Sequence, residues 1–234
     1  MAIKGVMFGN KHSFRDWGLY LNSRPRISPA RAKTVYIDIP GGNGVIDLTE
    51  SLYGEVVYEN RTIECSFSIF NKKMEWTSLF SEIQSYLQGQ RLQIILDDDM
   101  NYYYEGRAEI DEWRSDKVTS TIVIRANVEP FKKEINSYGQ DWLWDPFDFV
   151  DGIIYDARIT IQGKTEIELD VRRMPIIPTF RATAAMTVTY EKQSYSIPAN
   201  KDTVIYDIRL TEGKQKLAVT GNGTLIVSFK NGVL

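Results

Sequence analysis

Apolar and polar residues alternate with period two through most of this chain, and no other feature limits its fold as strongly. In segments 62–70 and 118–128 the apolar residues fall on one side, which is typical of strands with one buried face. These residues are Ile63, Cys65, Phe67 and Ile69, then Ile122, Ile124, Ala126 and Val128. Parallel sheets show continuous apolar runs instead. The pattern predicts a mainly β protein with antiparallel strands.

One segment has helical spacing instead. In NKKMEWTSLFSEIQSYLQGQ the apolar residues recur every three or four positions, at Trp76, Leu79, Phe80, Ile83 and Leu87. Gly89 stands where a glycine cap would end a helix. The opposite face is polar but not basic, which disfavours a helix lying on a membrane. We expect one helix that packs on the sheet.

A second series of short alternating segments fills the C-terminal part of the chain. These predicted strands are separated by Gly, Pro or Asn and span 151–162, 165–171, 180–190, 203–210, 216–219 and 224–229. Such spacing is typical of a β-sandwich. The stretch before them is rich in aromatic residues and Pro. We therefore predict an N-terminal domain at 1–133 that is a β-sandwich with one helix and a protruding β-hairpin. A linker at 134–148 and a C-terminal β-sandwich at 149–234 follow.

The glycine-rich loop PGGNG at residues 40–44 has two interpretations. A phosphate-binding loop needs a lysine and a following helix, or a glycine turn inside a parallel unit, and this loop has neither. Asn43-Gly44 lies between the alternating stretches VYIDIP and VIDLTE. This dipeptide readily supplies two residues with positive φ, so the sequence predicts a β-hairpin.

Two short runs near residue 100 are candidate sites. Asp97, Asp98 and Asp99 lack the residue order of an EF-hand, which favours a solvated turn, although weak calcium or magnesium binding stays open. In Tyr102–Tyr104, alternation places Tyr103 opposite its neighbours, so we expect at least one ring in the core and at least one outside. Exposed tyrosine is common at protein interfaces.

The residues give little material for catalysis. Cys65 alternates with apolar neighbours and reads as a core residue, and His12 is the only histidine. No HExxH, GxSxG or Cys-His pattern occurs. A pair of carboxylates that meets only in the folded chain stays open. We predict a protein that is not an enzyme and that needs no cofactor or metal.

Charge and hydropathy limit the classes of partner. The formal charge is −3, without long blocks of either sign, which disfavours a protein that neutralises nucleic-acid phosphates. The N-terminal apolar run is shorter than a signal-peptide core, and no segment approaches the roughly 18 apolar residues of a membrane helix. We expect no secretion signal, no membrane partner and a protein that contacts other proteins.

Several separated segments resemble one protein family. VYIDIPGGNGVIDLTESLYGEVVYENRTIECSF is similar to the N-terminal domain of distal tail proteins from long-tailed phages and prophages of Gram-positive bacteria. SFRDWGLYL, LDDDMNYYYEGRAEI and RANVEPFKK resemble the same domain, in the same order and around the single helix. The closing stretch LTEGKQKLAVTGNGTLIVSFKNGVL is similar to the final strands of the galectin-like domain that many members carry. The asparagine that usually precedes the penultimate strand is not evident there.

The resemblance implies a structural role in the virion tail, after assembly in the bacterial cytoplasm. Family members form a homo-hexameric ring between the tail tube protein and the tail-tip, tail-associated or receptor-binding baseplate proteins. DNA would pass through the lumen without specific binding, which suits a near-neutral chain. A protruding hairpin can add its edge to a neighbouring subunit. The expected interface residues are Ile39, Pro40, Gly41, Gly42, Asn43, Gly44, Val45 and Tyr103.

A carbohydrate-binding module is the alternative function. Trp142 and Trp144, near Phe147 and Phe149, could form an aromatic platform for glycans of the host cell surface. Aromatic residues in a linker more often fasten it to the adjoining domains, because they bury a large area. Solution mass together with glycan binding separates the two functions.

Overall fold

The structure is a computed structural model that describes residues 4–51, 54–69, 76–115, 120–135 and 158–234. It is mainly β, as the alternation predicts, with strands arranged in several sheets. The chain divides into two compact units, Met1–Lys132 and Lys133–Val233, with Leu234 assigned to the first. Each unit has a hydrophobic core of its own.

An antiparallel sheet forms most of the first unit. Its strands and those of a separate hairpin are β1 (Val6–Phe8), β2 (Lys11–His12), β3 (Tyr20–Leu21), β4 (Arg26–Ile27), β5 (Tyr36–Asp38), β6 (Val45–Asp47), β7 (Arg61–Ile69), β8 (Arg91–Leu96), β9 (Tyr102–Ser115) and β10 (Ser120–Val128). The sheet order is β2-β1-β8-β9-β10-β7-β3, and β4 also pairs with β7. β5 and β6 pair with each other as a two-stranded sheet.

The first core confirms the alternation pattern. In β7 and β10, the predicted apolar residues are all buried, and β10 pairs with β7 in an unbroken antiparallel register. The register between β10 and β9 shifts at Val123–Ile124, where a bulge bends the ladder. Phe8, Trp17 and Leu19, from the N-terminal segment, complete the same core.

Helix α1 (Trp76–Leu87) confirms the one predicted helix. Leu79, Ile83 and Leu87 lie on its buried face. Gly89 has φ of +75°, as a helix-ending glycine should. Trp113 of β9 stacks on Phe80, with ring centroids 4.5 Å apart, and this stack fixes the helix against the sheet.

The strands of the second unit are β11 (Lys132–Glu134, at the junction of the units), β12 (Arg158–Val171), β13 (Thr179–Ala182), β14 (Met186–Tyr190), β15 (Gln193–Ile197), β16 (Thr203–Val204), β17 (Gly213–Ser228) and β18 (Gly232–Val233). Two of them, β12 and β17, are longer than predicted, because each merges two predicted strands. The sheet order is β15-β14-β17-β13-β16, and β12 pairs with β17 along its whole length.

Two of the predicted breaks in this unit are wrong, because glycines there occur inside strands. Gly163 lies within β12, and Gly221 and Gly223 lie within β17, where they face β12 in register. A Cβ atom on Gly221 would come within 2.7 Å of Met186 Cγ, so glycine permits close packing there and does not end a strand. In contrast, segment 180–190 divides into β13 and β14, and only Thr203–Val204 of segment 203–210 is a strand.

Candidate assembly surface

Residues 34–50, called the hairpin below, form an exposed ribbon in the first unit. β5 and β6 pair through Tyr36–Asp47, Ile37–Ile46 and Asp38–Val45. The large apolar side chains of the ribbon that are 40% to 55% exposed are Val35, Tyr36, Ile37, Ile39, Val45 and Ile46. A two-stranded hairpin is at best marginally stable alone in water, and clustered exposed apolar side chains mark interaction sites. The ribbon is therefore suited to contact another surface.

The hairpin prediction is confirmed, but its turn differs from the predicted one. Positive φ angles occur at Gly41 (+74°) and Gly44 (+82°), and Asn43 is not among the residues with positive φ. The reversal is spread over residues 39–44, between the paired residues Asp38 and Val45. Left-handed backbone is therefore needed at two glycines, which adopt it readily.

Backbone and side-chain hydrogen bonds close the base of the hairpin. Leu48 N–H donates to Val35 O at 2.8 Å, and Val35 N–H donates to Thr49 Oγ1 at 3.2 Å. Asp47 Oδ1 accepts from Thr49 N–H at 2.9 Å. Hydrogen bonds from the side chain and the backbone of Thr49 lower the pKa of Asp47. The ribbon thus leaves the unit at a defined point.

Residues 24–33, called the basic segment below, lead directly into the hairpin. Lys33 N–H donates to Val57 O at 2.8 Å, and Glu59 N–H donates to Arg31 O at 2.8 Å, which holds the segment along residues 57–59. Its four cationic residues are all exposed: Arg24, Arg26, Arg31 and Lys33. Alternation and motifs do not reveal this surface, but the sequence carries a signal for it, the absence of acidic residues between Asp16 and Asp38.

The predicted interface residues occupy two different environments. Residues 39–45 are all exposed at the hairpin tip, and their role in an interface remains a prediction. Tyr103 is only 5% exposed, so it does not lie on an accessible surface of this chain. Tyr104 is also 5% exposed, and Tyr102 is half-buried with Lys132 Nζ over its ring at 4.3 Å. The expectation of an outward tyrosine is wrong, because Tyr103 and Tyr104 are both buried and Tyr102 is half-buried.

The three carboxylates of the aspartate run turn toward different partners. Asp97 contacts His12, Asp98 contacts Lys4 and Arg24, and Asp99 contacts Lys132. The hydrogen bond from Lys4 is the main cause of a lowered pKa at Asp98. Among the residues that the structure describes, no three His, Cys, Asp or Glu side chains are grouped as metal ligands. The arrangement supports the interpretation as a structural turn.

Cys65 is a core residue, as predicted. Its side chain is 1% exposed, and burial, followed by the charge of Glu64, raises the pKa of the thiol to about 12. A nucleophilic thiolate needs the opposite environment, with nearby positive charge and access to substrate. Cys65 thus offers no reaction centre at neutral pH.

The predicted glycan platform, Trp142 and Trp144, lies outside the described residues. The second unit has another aromatic side chain at its surface, Tyr206, which is 77% exposed. No helix in the described part of the chain is long and apolar enough to span a membrane.

The comparisons with known proteins show that a solved phage protein structure has the same architecture. No family model matches the chain, and no curated protein matches it either. The crystal structure of the SPP1 Dit protein (gp 19.1), described as a paradigm of the hub adsorption apparatus in phages that infect Gram-positive bacteria, is similar to it. The alignment covers 100% of both chains with a TM-score of 0.64 and 13% sequence identity. The chain therefore has the fold of the SPP1 Dit protein.

Proposed function

We propose that this chain is a structural protein of a phage tail, a member of the distal tail protein family that assembles into a closed ring. The observation that carries the proposal is the exposed apolar hairpin in a chain that shares the SPP1 Dit fold along its whole length. The sequence resemblance in four separated segments of the first unit points to the same family. The function would then lie in surfaces and not in a reaction centre.

A closed ring requires a heterologous contact, in which one face of a subunit meets a different face of the next. The hairpin supplies one such face, since it projects apolar side chains that its own unit does not cover. Six copies would form the ring, with the tail tube protein on one side and tail-tip or baseplate proteins on the other. DNA would pass through the lumen, and the protein would reside in the virion tail after assembly in the host cytoplasm.

Mutation of the hairpin tests the proposal through oligomer mass. Ile37 and Ile46 lie opposite each other and are each 48% exposed, so Ile37→Ser with Ile46→Ser removes the centre of the apolar surface. We expect the wild-type protein to show a hexamer by light scattering and native mass spectrometry as concentration rises. The double variant should remain monomeric over the same range.

A matched control tests whether the removal of any exposed apolar pair weakens assembly. Ile177 and Val204 of the second unit are 42% and 43% exposed, so Ile177→Ser with Val204→Ser removes a similar apolar area elsewhere. This control should assemble like the wild type. A wild-type protein that stays monomeric at all concentrations, alone and with tail tube protein, would contradict the proposal.

A carbohydrate-binding module remains the second candidate. Tyr206 offers an exposed ring next to the exposed carboxylate of Asp207, and sugar sites combine aromatic faces with polar groups. A glycan array decides between the functions. Specific binding by a monomer, lost in Tyr206→Ala, would favour the module, whereas a hexamer without glycan signal favours the tail protein.

A further inference from the structure

We propose that the hairpin of one copy docks on the basic segment of a second copy, so that opposite charges set the register of the contact. This inference rests on the proposed function, because it requires self-assembly. It adds the receiving surface and the chemistry that selects it.

The two surfaces carry opposite charge. The hairpin has three acidic residues, Asp38, Asp47 and Glu50, and no Lys or Arg. The basic segment has four cationic residues and no Asp or Glu. Complementary charge across an interface raises the association rate and fixes the register. Both surfaces are exposed, and they follow each other directly in the chain.

Five of these charged residues, Arg26, Arg31, Lys33, Asp38 and Glu50, form no ion pair within the described part of the chain. In the part that the structure describes, Arg24 lies 3.9 Å from Asp98, and no ion pair joins Arg26, Arg31 or Lys33 to a carboxylate. Asp38 and Glu50 likewise form no ion pair with a described residue. Asp38 and Glu50 of the hairpin are therefore available to pair with another molecule. The same holds for Arg26, Arg31 and Lys33 of the basic segment.

Prolines determine how the basic segment can be contacted. β4 pairs with β7 through Arg26–Glu64 and Ile27–Ile63, and Ser28 N–H donates to Thr62 O at 2.9 Å. Residues 26 and 28 thus direct their backbone groups toward β7, so positions 25, 27 and 29 direct theirs outward. Positions 25 and 29 are prolines, which lack an N–H group. A partner must therefore bind here through side chains and not by adding a strand.

Docking would also leave the ring close to neutral along this surface. A basic segment left uncovered in a lumen would hold DNA through its phosphates. When the hairpin of the neighbouring copy covers it, the four cations face three carboxylates. The contact therefore agrees with passage of DNA through the ring.

Charge reversal on each surface tests the inference. The first variant, Arg31→Glu with Lys33→Glu, makes the segment acidic, and the second, Asp38→Lys with Glu50→Lys, makes the hairpin basic. Asp47 is left intact because it bonds to Thr49. Lys164→Glu with Lys201→Glu serves as the control, since both lysines are exposed in the second unit. Melting temperature checks that each variant folds.

Each of the first two variants alone places like charges against each other, so we expect assembly about tenfold weaker or more by light scattering. An equimolar mixture of the two restores both attractive contacts, because each acidic hairpin meets a basic segment and each basic hairpin meets an acidic segment. The mixture should therefore assemble into rings that alternate the two variants, as should a single chain that carries all four reversals. The control should assemble like the wild type.

The outcomes separate failure of the inference from failure of the proposed function. If the wild type assembles and both charge variants assemble equally well, the hairpin docks elsewhere and the inference is wrong while the tail function stands. Weak assembly of both variants without recovery in the mixture also overturns the inference. A wild type that never assembles refutes the proposed function itself, and the inference with it.

Discussion

The Nε2 atom of His12 lies 3.1 Å from Oδ2 of Asp97, and this contact joins β2 to the residue that follows β8. His12 is 4% exposed. Its Nδ1 atom accepts hydrogen bonds from the N–H groups of Phe14 and Arg15, so Nε2 is the nitrogen that donates to the carboxylate. Asp97 also accepts from Gly5 N–H at 2.7 Å. One carboxylate thus fastens the N-terminal segment to the sheet.

We predict that Asp97→Ala destabilises the protein by about 1–3 kcal/mol, because it leaves two donors without an acceptor in a part-buried position. Urea unfolding measures the loss. Asp98→Ala is the control: that carboxylate pairs with Lys4 and Arg24 at the surface, so the control should change the free energy of unfolding little. If both variants lost the same free energy of unfolding, the part-buried contact of Asp97 with His12 would not stabilise the fold more than a surface ion pair does.

We predict that Gly106→Ala lowers the free energy of unfolding of the first unit by about 1–3 kcal/mol. Gly106 lies in β9 opposite Val128 of β10, and an added Cβ would overlap the backbone oxygen of Asn127. The strands must separate to admit it. Gly18→Ala is the comparison, since Gly18 has φ of +66° but no atom within 4 Å of the added Cβ. Thermal and urea unfolding should rank Gly106→Ala as the more damaging change.

We predict that Cys65 resists thiol reagents in the folded protein. Burial raises the pKa of its thiol from 9.0 to about 12, so almost no thiolate exists at pH 8. A chromogenic disulfide reagent should react slowly with the native protein at pH 8 and rapidly once urea unfolds it. Fast reaction of native protein would contradict the burial.

The same pKa difference predicts a pH dependence of stability. The unfolded thiol ionises near pH 9 and the folded thiol only near pH 12, so unfolding releases a proton between these values. The contribution of the neutral thiol is therefore complete below pH 9 and is lost as pH rises toward 12. Comparison of the wild type with Cys65→Ala isolates this effect from other groups that titrate in the same range.

Alternation and helical spacing predicted the first unit well because its core is one-sided. Ile63 and Ile122 are buried where a period of two places them, and α1 ends before Gly89 as its cap residue suggests. Tyr103 could not be placed in this way. Period two specifies which face a residue occupies, but whether that face is covered depends on tertiary contacts.

The second unit shows that glycine in a sequence does not always indicate a turn. Gly163 and Gly221 face each other inside paired strands, although their sequence context resembles the loop at Gly41–Gly44. In both places glycine supplies positive φ, but in β17 it also makes room for Met186. A single sequence does not distinguish a backbone that turns from one that is closely packed.

Pro25 and Pro29 have a further consequence for the sheet edge at which they lie. An open sheet edge with free N–H groups can recruit strands from other molecules and grow into fibrils. This edge lies next to the hairpin and its exposed apolar side chains. Its two prolines have no N–H group, so an added strand could not form a continuous ladder of hydrogen bonds here. This edge therefore offers no template for the addition of strands in amyloid-like stacks.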